Sequence, residues 1–156
     1  MRTAIKSIFA IAAFATLALA ADKPNFSGEW SLDVDKSNFG PMPPPATMVR
    51  KISHSEPEMT VEQATTGGPQ GDQSFKFKYS TDGKETTNEM MGTPAKTKAA
   101  WDGNALVINM SVDAGGNEIK ITDRVSLSDD GKVMTDAQHV VLPQGELDLT
   151  YVLNKK

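Results

Sequence analysis

Asn25-Phe26-Ser27-Gly28-Glu29-Trp30-Ser31-Leu32-Asp33-Val34 is the stretch that decides the fold. Phe26, Gly28, Trp30, Leu32 and Val34 occupy alternate positions, so in a strand they share one face. Glu29, Ser31 and Asp33 make the other face polar. A large indole two residues after a glycine reads as a plug, with the backbone brought close where glycine has no side chain. The rest of the chain is expected to wrap as a sheet around this strand.

Upstream lies a segment of another kind. Met1-Arg2-Thr3-Ala4-Ile5-Lys6 is basic, Ile8 to Leu19 is uncharged and apolar, and Ala18-Leu19-Ala20 precedes Ala21-Asp22-Lys23-Pro24. A basic start, a short apolar run and small residues at its end make residues 1–20 a secretory signal peptide, with cleavage expected after Ala20. A membrane helix needs about 20 apolar residues, and this run has about 12. The chain has no cysteine, hence neither a lipid-anchored cysteine nor a disulfide framework. Residues 21–156 are then expected to form one soluble domain in a bacterial periplasm or outside the cell, long enough to bury a core. Without Arg2 and Lys6 the chain keeps 14 basic residues against 20 acidic ones, a net charge of −6. Its charges are scattered, which argues against nucleic acid and anionic membrane as partners.

Outward from the opening strand, Asp35 to Pro45 is proline-rich and reads as an extended connector, with Phe39 tucked against the sheet. Short strands follow at Thr47 to His54, at Met59 to Thr65, and around Phe75, Phe77 and Tyr79. Thr81-Asp82-Gly83-Lys84 has hairpin-turn chemistry. Further strands are expected from Glu85 to Met91, Lys96 to Trp101 and Leu106 to Val112. The last three run from Ile119 to Leu127, Val133 to Leu142 and Leu147 to Leu153. About ten strands at regular spacing, with no amphipathic helix between them, predict an all-β up-and-down barrel; a β-sandwich is the second choice. Closing such a meander removes its exposed edges.

With this meander laid out, Gly28-Glu29-Trp30 resembles the Gly-x-Trp of the first strand in the calycins: lipocalins, fatty-acid-binding proteins and their small bacterial lipocalin-like relatives. Asp82-Gly83-Lys84, Trp101-Asp102-Gly103-Asn104-Ala105-Leu106 and Asp130-Gly131-Lys132 are similar in rhythm to the late hairpins of the fatty-acid-binding branch. The resemblance spans Asn25 to Lys156 and implies the barrel. It also has departures. The fatty-acid-binding branch has two helices where this chain has its proline-rich connector. That branch holds a carboxylate with Arg-x-Tyr on the last strand and a further interior arginine; Thr150-Tyr151-Val152-Leu153 has no arginine, so that site is not carried over. Lipocalins add a C-terminal helix and often a disulfide. Fold alone does not fix function.

Candidate site residues are polar tips on the inner face. Arg50, His54, Tyr79, Asp123, His139 and Tyr151 are the expected ligand-binding set, and Gly28 and Trp30 the expected barrel-closing pair. Asp123 shares a strand face with Ile121 and Val125. A buried carboxylate must be paired, hydrated or neutral. Arg50 is one available partner; the alternative is a bulge that turns Asp123 outward and leaves Arg124 inside. No catalytic set, metal site or cofactor is expected. His54 and His139 lie on different strands, no Gly-x-Ser-x-Gly occurs, and Gly67-Gly68 and Gly115-Gly116 sit between strands rather than before helices.

The expected function is a non-enzymatic barrel binding a small apolar or amphipathic ligand in its lumen. A side-chain-filled barrel serving as a structural module of the cell envelope is the alternative. An enzyme would need two carboxylates and a histidine converging in an open pocket.

Overall fold

The computed structural model describes residues 22–156, so the expected signal peptide lies outside the described residues. Ten strands follow in order: β1 Gly28–Leu32, β2 Thr47–Ser55, β3 Glu58–Gly68, β4 Gly71–Ser80, β5 Asp82–Met90, β6 Thr93–Asp102, β7 Ala105–Asp113, β8 Glu118–Leu127, β9 Val133–Leu142 and β10 Gly145–Lys155. All pairings are antiparallel, in the order β4-β3-β2-β1-β10-β9-β8-β7-β6-β5. Each strand pairs with its neighbour in sequence, except across β4 and β5, and β1 closes onto β10. The result is a nearly closed, all-β, calycin-like barrel with no helix among the described residues.

Alternation builds the wall. On β7, Leu106, Ile108, Met110 and Val112 point inward and are buried, while Asn109 and Asp113 face water. Neighbouring strands keep this phase, because Leu106 registers with Val125, Ile108 with Asp123 and Met110 with Ile121. Two apolar clusters result. One, at the end bearing the C-terminus, gathers Phe26, Trp30, Met59, Leu106, Met134 and Leu153 among others. The second, toward the other end, gathers Ala95, Met110, Val112, Ile121 and Val140. The proline-rich connector belongs to that second end. Asn38 bridges to Thr150, and Phe39 packs edge-on against Tyr151 with ring centroids 5.9 Å apart.

The β4–β5 junction departs from the sequence expectation. Thr81-Asp82-Gly83-Lys84 turns the chain as its composition requires, but the two strands are the free ends of the sheet rather than a bonded hairpin. The backbone N–H of Thr81 donates to Pro57 O at 2.8 Å, which draws the turn toward β2–β3. Side chains lace the seam instead. Asn88 Oδ1 accepts from the N–H of Lys78 at 2.7 Å, and Asn88 Nδ2 donates to Lys78 O at 3.0 Å. Thr86 Oγ1 donates to the same carbonyl at 2.9 Å. One buried asparagine thus does for β4 what a backbone amide of a tenth pairing would do.

Candidate functional site

The base is built from the opening stretch. Trp30 is fully sealed from solvent, and its indole Nε1 donates to Phe26 O at 2.9 Å, so its one polar atom is satisfied. Phe26, His54 and Trp101 form a mutually stacked triad, with Phe26 5.8 Å from each partner and His54 6.1 Å from Trp101, centroid to centroid. His54 Nδ1 accepts from the N–H of Phe26 at 3.2 Å, so Nε2 carries the ring hydrogen and donates to Glu56 Oε1 at 3.0 Å. Glu56 also receives Trp101 Nε1 at 2.9 Å and the hydroxyl of Thr81. Partial burial works against its charge, but the donors Thr81, Trp101 and His54 outweigh that and hold its carboxyl below the usual range.

Gly28 and Trp30 both belong to this base, and the glycine has a physical reason. Its φ of +136° is one that residues with a Cβ rarely adopt, and an added Cβ would lie 2.8 Å from Lys155 Cε. The Lys155 ammonium uses that room to lie 5.3 Å from the centre of the Trp30 ring.

Midway up the barrel the inner wall turns polar. Arg50 of β2 reaches across β1 and β10 to Asp136 of β9, Nη1 to Oδ2 at 2.7 Å. Its Nε donates to Gln63 Oε1 at 2.7 Å, and its guanidinium lies 5.7 Å from the Tyr151 ring centre. Burial alone would lower its pKa, but the Asp136 carboxylate beside it holds it above the ordinary value. Asp123 of β8 accepts from Gln138 Nε2 at 2.7 Å. Burial first, and then the nearby Asp136 charge, push its carboxyl up to about 8. Tyr79 is raised by burial and then by Asp123, and Tyr151 by burial. Asp136 is 2% exposed, and its Oδ1 has no hydrogen-bond partner.

The residues around this cluster are not sealed. Gln63, Phe75, Phe77, Asp123, Gln138 and Tyr151 face inward and yet remain only half-buried. Solvent therefore touches these inner side chains at this height. Two depressions of about 420 and 280 Å³ lie on the outer wall, and none of Arg50, Asp123 or Asp136 lines either of them.

Of the six expected ligand-binding residues, Arg50, Tyr79, Asp123 and Tyr151 converge in the lumen. His54 faces inward but belongs to the base. His139 corrects the expectation of a lumen group. It sits on the outer wall with Nδ1 2.7 Å from Asp148 Oδ1, because Gln138 and Val140 take the inward positions of β9. That hydrogen bond raises its pKa. No bulge occurs at Asp123, since the register from Leu106–Val125 to Asp113–Glu118 is unbroken. Arg124 points outward to Asp102 at 2.6 Å. The direct partner of Arg50 is Asp136 rather than Asp123, a pairing that sequence reading missed. The signal was present: Met134, Asp136, Gln138 and Val140 alternate on one face. Among the described residues, no group of three His, Cys, Asp or Glu side chains stands close enough to hold a metal ion.

Comparison with solved structures agrees with this architecture. The chain is similar to the zebrafish ileal bile acid-binding protein solved with cholic acid: TM-score 0.60, 18% identity, covering 84% of this chain and 98% of that one. It is also similar to a secretory abundant heat soluble protein of Ramazzottius varieornatus: TM-score 0.61, 15% identity, 86% and 97% covered. A third is Rv2717c of M. tuberculosis, at TM-score 0.53 and 15% identity, with 84% and 92% covered. No protein-family model matches the chain, and no curated protein matches it in sequence. The shared property is the barrel.

Proposed function

We propose that this protein is a non-enzymatic binding barrel of the periplasm or the extracellular space, holding a small amphipathic ligand in its lumen. One observation carries the reading: a buried polar cluster with an unpartnered carboxylate oxygen, Asp136 Oδ1, set in a wall of half-buried aromatic side chains. Ligand sites of this kind combine an apolar enclosure with a few convergent polar groups. The bile acid-binding neighbour, solved with cholic acid, is a barrel that does hold such a molecule. The two carboxylates have no histidine with them, since His54 is locked in the base and His139 is outside. That favours binding over acid–base catalysis.

The test is a titration of residues 21–156 with the neutral dye Nile red. Saturable one-to-one binding with a blue-shifted emission is expected. Leu147→Trp, which fills the inner wall, should weaken it at least about tenfold. Thr122→Trp on the outer wall should leave it unchanged. Absence of saturable binding, or equal effects of the two substitutions, contradicts a lumen site.

A further inference from the structure

We propose that the lumen selects an organic cation: a primary or secondary ammonium on an apolar body, held between the carboxylates of Asp136 and Asp123. This rests on the lumen-binding reading above and adds the ligand's chemical class.

The cluster has two carboxylates and one guanidinium, and Arg50 already serves Asp136 and Gln63. A ligand carboxylate would find no surplus positive charge there and would sit beside two acidic groups. Its burial would go uncompensated.

Asp136 Oδ1 is buried and unpartnered, and Gln138 occupies only one oxygen of Asp123. Both are hydrogen-bond acceptors, and an ammonium brings donors and charge together. A buried acceptor left without a donor is costly, so filling it is a direct source of affinity.

Tyr79, Phe75 and Phe77 line β4, with Phe77 5.8 Å from Phe75 and 6.1 Å from Tyr79. Tyr151 stands on β10. Aromatic faces favour a cation and an apolar body alike.

The groups facing Asp123 are Gln138 and Asp136 from β9, Arg50 from β2, Tyr79 from β4 and Tyr151 from β10. At pH 7 Asp123 largely holds its proton, its carboxyl being pushed up to about 8. A bound ammonium favours the ionised carboxylate. The ammonium keeps its own protons, and the Asp123 O–H proton leaves to buffer.

The experiment is calorimetric titration of residues 21–156 with dodecylamine, dodecanol and dodecanoate below their micellar concentrations. At pH 7, dodecylamine should bind at least about tenfold tighter than dodecanoate. Its heat should vary with the buffer's ionisation enthalpy, reporting proton release. At pH 9 that release should vanish and the affinity rise. Asp123→Asn keeps the Arg50–Asp136 pair; it should remove the proton release and weaken dodecylamine at least about tenfold, with dodecanol changed less than about threefold. Asp136→Asn, checked for folding by circular dichroism, should weaken dodecylamine similarly. If dodecanoate binds as tightly as dodecylamine, or Asp123→Asn leaves dodecylamine unaffected, the cation assignment falls while lumen binding stands. If none of the three binds, lumen binding falls and takes the assignment with it.

Discussion

At the base of the barrel, Phe26, Trp30, Leu106, Met134 and Leu153 are all sealed from solvent, and the polar atoms of Trp30, His54 and Trp101 each have a partner. At mid-height the same barrel carries Arg50, Asp123 and Asp136, one acceptor is left over, and Phe75, Phe77 and Tyr151 are only half-buried. Both regions come from one alternating pattern. The difference is which residues take the inward positions. The base gains stability from burial at every position, whereas mid-height gives up apolar contact to keep charged groups inside. Buried ion pairs often contribute little net stability against apolar substitutes. Retaining one, with an extra carboxylate beside it, suits a region shaped by what it holds.

Substitutions can break that contrast. The largest effect is expected for Trp30→Ala, which empties the base; loss of a core aromatic costs on the order of 4 kcal/mol, read as the shift in a urea unfolding curve. Arg50→Met should cost about 3 kcal/mol, because it strands the Asp136 charge. The double variant Arg50→Met with Asp136→Leu should recover that loss or exceed the parent in melting temperature. Recovery would show that the pair is not there for stability. Were the double variant as unstable as Arg50→Met alone, the contrast between base and mid-height would fail.

The seam between β4 and β5 lies between these extremes. Asn88→Ala removes both bonds to Lys78 and should cost about 2 kcal/mol. Amide exchange should quicken first along β4 and β5 if the lacing is local. Uniform acceleration through the barrel would mean that the seam is not a separate weak point.

The pH dependence of stability sharpens the comparison further. The folded carboxyl of Asp123 sits near 8 and its ordinary value is 3.8. Between those values the folded state holds a proton that the unfolded state has lost. Stability from this group is full below about 4 and lost as pH rises to about 8, with a limiting slope of about 1.4 kcal/mol per pH unit. Asp123→Asn should flatten that fall between pH 5 and 8. His139, raised by Asp148, acts in the same direction near its own titration, so the comparison is best made in a His139→Gln background. The carboxylates held low on the surface, such as Asp82 at about 2, act below this window. At the small end, Arg124→Ala on the outer wall should stay within about 0.5 kcal/mol, despite its 2.6 Å bond to Asp102.

Much of the barrel was legible because alternation is a local property. Trp30 after Gly28 announced the plug, and Leu106, Ile108, Met110 and Val112 announced the wall. The seam was not legible. Asp82-Gly83 specifies a turn, and nothing in a turn's composition says whether the strands beyond it pair by backbone or by an asparagine six residues on. The weak patterning of Glu85 to Met91 was its trace, since Thr86 and Asn88 face inward there. Arg50, Tyr79, Asp123 and Tyr151 could be found because each interrupts an apolar face. The inward phase of Asp136 on β9 was legible, but its partner was not, because that pairing joins residues 86 positions apart and spacing carries no record of it. His139 was misplaced by one position of phase, which on a strand is the whole difference between inside and outside.

The central claim is that the polar middle of the lumen is the binding site. Its most direct test is NMR mapping of the isotope-labelled protein during titration with dodecylamine. The side-chain amides of Gln63 and Gln138 and the inward positions of β8 to β10 should shift together and saturate. Thr122 and Arg124 on the outer wall should not move. Shifts confined to the outer wall, or none at either glutamine, would contradict it.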